Sequence, residues 1–340
     1  MKPFLLFAAV AVVAPSLTAQ MPELEPPEQL HKFDRLIGAW DGAGKVCHVP
    51  GEPAGDWTSK SVVEPILGGM FLRDSSVISF PDQPQTLQFV TLYGYDRENQ
   101  KYMQWSVSNM GEVTASEIHW IDDDTFVTAE IGVSDHTPHV DRWVTHLGDD
   151  EHTTKGETAG GAGSFFVHVD GTMKRAKAMD AVTRKDASFY VPGAGPEMKR
   201  LNRMAGTYDV KGTMFLPDGS ETEIEGVQTM RPFYSGLVLE SYTSGRPGNY
   251  EAWSWIGWNA HEHRYEMVYA NSMGEAGHHP MYWVDDDLVA LFAGRSMGQP
   301  TVRRSASSFD ENGAVNKSWT HVIVGTGEPA RVFEANYAKR

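Results

Sequence analysis

The chain carries one message twice. Lys101–Glu112, KYMQWSVSNMGE, returns as Arg264–Glu275, RYEMVYANSMGE. Aligning Gly94–Asp124 with Gly257–Asp287 at a constant offset of 163 needs no gap. Gly94, Tyr102, Met110, Gly111, Glu112, Trp120, Asp122, Asp123 and Asp124 then meet Gly257, Tyr265, Met273, Gly274, Glu275, Trp283, Asp285, Asp286 and Asp287. These are nine identities in 31 positions, where chance gives roughly two. Upstream, Phe33–Asp41 pairs with Leu201–Asp209 and Pro65–Leu72 with Pro232–Leu239. Two units follow, 28–178 and 196–340, joined by a turn-rich segment 179–195. A unit near 145 residues is too long for a solenoid repeat and has the size of a complete domain.

Within each unit the sequence predicts a short helix followed by strands. Leu30, Phe33 and Ile37 share one helical face, as do Met198, Leu201 and Ala205. Beyond them come alternating runs such as Thr86–Tyr95, Tyr102–Val107 and Val140–His146. Turn signals such as Asp96-Arg-Glu-Asn-Gln and Asp122-Asp-Asp recur about every ten residues, the spacing of an antiparallel meander. With 10 Trp, 12 Tyr, 15 Phe and 33 Gly, the composition favours pleated surfaces and turns. An all-β fold is expected, each unit a barrel closed on itself so that no edge is left unpaired.

Lys2, the apolar run Phe4–Val13 and then Pro15–Ala19 give the order of a secretory signal peptide, and the run is too short to span a bilayer. The expectation is a leader over 1–19, a Pro-rich segment over 20–27 and an exported protein, periplasmic or secreted, with no membrane insertion after cleavage. A net charge of −16 without a basic cluster argues against nucleic acid as a partner. Cys47 is the only cysteine, so no intramolecular disulfide forms and thiolate zinc sites are excluded. The His clusters lack the spacing of a metal-binding helix, so no metal is assigned. No hydrolase elbow, phosphate loop or dinucleotide fingerprint stands in a supporting context.

Gly38-Ala-Trp40 after a short helix, echoed by Gly206-Thr-Tyr208, resembles the opening of lipocalin and calycin barrels. Leu67-Gly-Gly-Met-Phe71, Tyr93-Gly-Tyr-Asp96, Tyr102 and Asn109-Met-Gly111 resemble, more narrowly, a bacterial domain-of-unknown-function family, number 1579. The second copy departs from that pattern at Ser235-Gly236 and at Gly257-Trp-Asn259. The resemblance implies two tandem calycin-like antiparallel barrels and brings no activity with it.

A ligand-binding interior is the leading functional expectation, with Trp40, Phe89, Tyr93, Trp105, Trp120 and Trp143 as an aromatic lining for a small apolar or aromatic molecule and Arg142 and Glu112 as further ligand-binding residues. Strand alternation puts His139, Asp141, Trp143 and Thr145 on one face, and Phe166, His168 and Asp170 on one face of a later strand. If these faces point inward, His139 with Asp141, or His168 with Asp170, form an acid–base pair for an enzyme acting on a small molecule. Arg142 and Arg304 are expected to stack on a Trp, as an Arg does in lipocalin barrels. Glu112 and Glu275 occupy equal places in the duplicated turn, at the expected barrel mouth. Some calycin-like barrels hold haem through an inward His, so a haem-binding barrel is a further alternative, as is a non-catalytic envelope scaffold. The residues alone name no cofactor.

Overall fold

The alternating runs form twenty strands among the described residues of a computed structural model of the chain. The structure describes residues 24–340 except 82, 98, 135–136, 177–188, 190–192, 217 and 297–298. The expected leader over 1–19 and most of the joining segment 179–195 lie outside the described residues.

The first barrel comprises β1 (Gly38–Val46), β2 (Gly55–Ile66), β3 (Phe71–Ser79), β4 (Thr86–Asp96), β5 (Lys101–Ser108), β6 (Val113–Trp120), β7 (Thr125–Ser134), β8 (Thr137–Leu147), β9 (Glu151–Gly160) and β10 (Phe166–Arg175). Each strand pairs antiparallel with the next, and β10 closes on β1. The second comprises β11 (Gly206–Phe215), β12 (Glu221–Phe233), β13 (Val238–Arg246), β14 (Tyr250–Asn259), β15 (Arg264–Asn271), β16 (Ala276–Val284), β17 (Asp287–Ser296), β18 (Gln299–Phe309), β19 (Val315–Val324) and β20 (Ala330–Lys339). It closes in the same way, β20 on β11. The fold is all-β, two closed antiparallel ten-stranded barrels in tandem.

A short helical segment plugs one end of each barrel. In the first copy it is a 3-10 helix over Glu28–Leu36, whose Leu30, Phe33 and Leu36 are buried against Trp40, Leu72, Ile118, Phe126 and Leu147. In the second, α1 (Pro196–Leu201) runs into a 3-10 turn, Asn202–Met204. Trp40 Nε1 donates to the Leu36 carbonyl at 2.7 Å, and Tyr208 Oη donates to the Met204 carbonyl at 2.7 Å. The repeated Gly-x-aromatic motif is thus a lock between plug and first strand. Its glycines, Gly38 and Gly206, have φ of 134° and 154°, a backbone region costly for any side chain. The cation over the lock is Arg175, 4.3 Å from the Trp40 ring, mirrored by Lys339 at 5.8 Å from Tyr208. This corrects the expected stacking role of Arg142, which is exposed on the outer face of β8 and pairs with Glu157 at 3.4 Å.

The outer faces of β4 to β6 and β13 to β15 are apolar because they meet each other. Leu67, Met70, Phe71, Val90, Leu92, Trp105, Val107 and Val113 of the first barrel form one buried cluster with Phe233, Tyr234, Val238, Trp255, Val268 and Ala270 of the second. The packing is reciprocal. A Cβ on Gly111 would lie 3.3 Å from Leu237 Cβ, and one on the equivalent Gly274 would lie 3.5 Å from Met70 Sδ, Met70 being the equivalent of Leu237. Each duplicated Met-Gly-Glu turn therefore docks onto the corner before the third strand of the other barrel. That corner is a left-handed turn. Leu67, Gly68 and Gly69 have φ of 52°, 69° and 84°, and Tyr234, Ser235 and Gly236 repeat it at 51°, 57° and 81°.

A Cβ at Gly257 would meet the Gly111 carbonyl oxygen at 2.6 Å, a backbone atom that cannot swing aside. Gly257→Ala is therefore expected to destabilise the chain by roughly 1–3 kcal/mol, read as a fall in thermal midpoint. Gly55→Ala, whose Cβ would approach nothing nearer than 3.9 Å, is expected to leave the midpoint within about 0.5 kcal/mol of wild type.

Candidate functional site

The register decides which side chains enter the first barrel, because residues directly opposite on antiparallel strands share a face. Trp120, on the plug side of the core, pairs with Phe126, and the inward face then runs Thr128, Glu130, Gly132 along β7. These pair with Trp143, Asp141 and His139 of β8, which pair in turn with Gly156, Thr158 and Gly160 of β9. His139, Asp141 and Trp143 therefore point inward, toward the end that the helix leaves open. His139 Nε2 lies 3.3 Å from Asp141 Oδ2, with side chains 27% and 22% exposed, so solvent reaches the pair.

Glycines on neighbouring strands let rings lie flat on the wall. A Cβ on Gly132 would meet His139 Cε1 at 2.7 Å, and one on Gly156 would meet both His168 Cε1 and Trp143 Cζ3 at 2.8 Å. His168 is inward and makes an edge contact with Trp143, ring centroids 4.8 Å apart. Burial holds its pKa below the usual imidazole range, partly opposed by the charge of Asp141.

Asp170 does not join it. A register shift between Val167 and Val169 inserts an extra residue, so Asp170 pairs with Lys45 and Lys155 on the outer face and is exposed. The pairing of His168 with Asp170 is therefore corrected.

Three of the six expected aromatic liners belong to the plug core: Trp40 is 2% exposed, and Tyr93 and Trp120 pack on Phe33 at 5.5 and 5.4 Å. Burial raises the Tyr93 phenol, with the charge of Asp74 adding to the shift. Trp105 faces outward and is 3% exposed in the seam between barrels, which corrects its placement in the lining. Phe89 and Trp143 do line the open half, Phe89 through its pairing with Ser76 and Ser108.

Sequence reasoning missed Glu130. It pairs with Asp141 across β7 and β8. Its pKa is raised, by burial first and by the Asp141 charge, against hydrogen bonds from Thr114 and Ser116. Alternation along Thr125–Ser134 would have put it on the face of Thr128, but only the barrel register makes that face inward. Glu112 stands exposed on the rim, its carboxylate accepting from Ser108 Oγ at 3.4 Å. Among the described residues the inner face of the open half carries no Lys or Arg, so its carboxylates are balanced there only by imidazoles. No group of three or more metal-ligating side chains is assembled among the described residues. No described helix is long and apolar enough to cross a membrane.

The fold and this chamber define a tandem of closed ten-stranded barrels, each plugged at one end. Residues 25–175, the span of the first barrel and its plug, match the family described as "Protein of unknown function (DUF1579)". No curated protein is significantly similar. Among solved structures, Rv2717c from M. tuberculosis is 13% identical with a TM-score of 0.36, aligning 45% of this chain with 100% of that one. A protein of unknown function from the DUF3598 family of Nostoc punctiforme is 10% identical with a TM-score of 0.29, over 92% of this chain and 100% of that one. Kievitone hydratase from Nectria haematococca is 8% identical with a TM-score of 0.20, over 95% and 93%. At these values the likenesses bear on neither substrate nor activity.

The raised pKa of Glu130 has a consequence for stability. A carboxyl group that holds its proton more tightly when folded makes stability fall as pH rises from its unfolded pKa, about 4.3, through its folded value. Glu130→Gln removes that loss. The variant is expected to gain in thermal midpoint over wild type at pH 7, with the gain shrinking toward zero below pH about 4.

Proposed function

We propose that the chain is an exported small-molecule-binding protein, calycin-like in its architecture, whose first barrel takes its ligand through the end opposite the plug. The observation that carries this reading is the solvent-reached His139–Asp141 pair, set on the inner wall beside Trp143 with Glu130 opposite. Inward aromatic rings suit a flat apolar body, while carboxylates without a neighbouring Lys or Arg suit a ligand that brings hydrogen-bond donors or a positive charge. An apolar or aromatic molecule that carries a donor or a positive charge fits this wall better than one with neither. Export is supported by the charged, apolar and small-residue order of residues 2–19.

A second reading is favoured by the same pair. Asp141 can orient the His139 imidazole and stabilise its protonated form, which is what a general base on a small substrate requires. Trp143→Ala and Asp141→Asn separate the two readings. A binding protein purified from its source is expected to carry a small molecule visible by native mass spectrometry, lost in Trp143→Ala and weakened about tenfold in Asp141→Asn. A catalyst is expected to bind the same molecule almost as well in Asp141→Asn while failing to transform it. Wild-type protein with no adduct, and no binding of Nile red that Trp143→Ala abolishes, would overturn both.

A further inference from the structure

The second barrel repeats the geometry of the first with the charge reversed. Its register runs Leu288, Ala290, Phe292, Gly294 along β17, opposite Ser307, Ser305, Arg303 and Thr301 of β18. In the first barrel the same rows run Phe126, Thr128, Glu130, Gly132 opposite Thr145, Trp143, Asp141 and His139. The acidic pair Glu130/Asp141 is thus replaced, position for position, by Phe292/Arg303. Arg303 points inward, pairing on its other side with Val322 of β19.

A guanidinium in a barrel lumen needs a counter-charge, since leaving it uncompensated away from water is costly. Among the described residues no carboxylate lies within ion-pair distance of Arg303, and its Nε is buried without a hydrogen-bond partner. The strands of this barrel place no Asp or Glu on the inner face among the described residues, since Glu225, Glu240, Glu251, Glu266 and Glu334 all alternate outward. The guanidinium sits 5.6 Å over the Phe292 ring, which orients it without neutralising it.

Neutral donors stand nearby. Tyr250 and Tyr269 share a hydrogen bond of 2.8 Å, and Asn271 Nδ2 donates to Tyr269 Oη at 2.6 Å. His279, two residues along the inner face from Gly277, the partner of Tyr269, lies with its ring 5.0 Å from Phe292, the ring over which the guanidinium sits. Burial, reinforced by His278 and Arg303, holds His279 down to about 4, so it is neutral at pH 7. Glu275 remains at the rim, occupied by Asn271 at 3.1 Å. Beside Tyr250 the wall thins. In the row Val210, Gly226, Gly245, Tyr250 two members carry no side chain.

We propose that the second barrel binds an amphipathic monocarboxylate, its head group neutralising Arg303 beside the Tyr250–Tyr269 hydroxyl pair and its apolar body lying along Phe292, Val322 and Phe333. One cation matches one negative charge. A dianionic phosphate would keep one charge unneutralised. The inference does not depend on what occupies the first barrel.

Calorimetric titration of the whole chain with dodecanoate tests it, with dodecan-1-ol as the uncharged control. Dodecanoate is expected to bind wild type and Asp141→Asn alike, and to lose roughly tenfold or more in affinity in Arg303→Met. Dodecan-1-ol is expected to bind wild type and Arg303→Met equally. Arg303→Met keeps an unbranched stem and removes a half-buried charge that has no ion-pair partner among the described residues, so its thermal midpoint is expected to be no lower than wild type. Arg303→Gln supplies a second variant with the same expected loss. No dodecanoate binding by wild type, or equal binding by wild type and both Arg303 variants, would overturn the proposal. A loss shared by Asp141→Asn would place the carboxylate in the first barrel and overturn it too. None of these outcomes decides the reading of the first chamber, which turns on Trp143→Ala.

Discussion

The apolar seam between the two barrels governs how the rest of the molecule distributes its residues. A barrel wall has two faces, and in most of the wall the outer one meets water. Here β4 to β6 and β13 to β15 bury Val90, Leu92, Trp105, Val107, Trp255 and Val268 on their outer faces. Burial of large side chains at roughly 1.5–3 kcal/mol each is thereby moved outside the barrels. Their interiors are then free to carry Ser, Thr, Gln and charged groups above the plug. The core of this protein is split between two plugs and one seam.

The seam also explains the duplicated motifs. Gly111 and Gly274 each press a turn onto the left-handed corner of the other copy, a self-complementary contact of the kind made by two-fold symmetric dimers. Tethering such a pair in one chain frees each half from serving both roles. The ion pair beside the seam shows the result: Glu64 meets Arg73 in the first barrel, and Arg231 meets Glu240 at 2.6 Å at the matching places in the second, with signs exchanged. Glu240, 4% exposed, also accepts from Trp255 Nε1 at 3.1 Å. The same freedom operates inside, where Asp141 on one wall corresponds to Arg303 on the other.

Divergence of this kind makes the two chambers chemically complementary to different ligands while the scaffold stays common. The locks of Trp40 on Leu36 and Tyr208 on Met204 are the same bond made by an indole and by a phenol. What is kept is the position of a buried donor over a helix end. What changes is the charge a ligand meets on entering.

The sequence by itself determined the duplication, the all-β class and the alternation that puts His139, Asp141 and Trp143 on one face, because period and repeat are local properties of a chain. It could not say which face of a strand is the inside. Trp105 and Trp143 look alike in sequence, yet one is seam and the other lumen, since that choice depends on whether a second barrel covers the wall. Asp170 shows a second limit: one extra residue near Val167 turns a side chain from lumen to solvent, and no local pattern marks it. Glu130 and Arg303 became site residues only through closure, which brought each beside strands that the sequence merely places next in line. Tertiary structure decided the site because the sign of a lumen is a sum over ten strands, while each strand records only its own alternation.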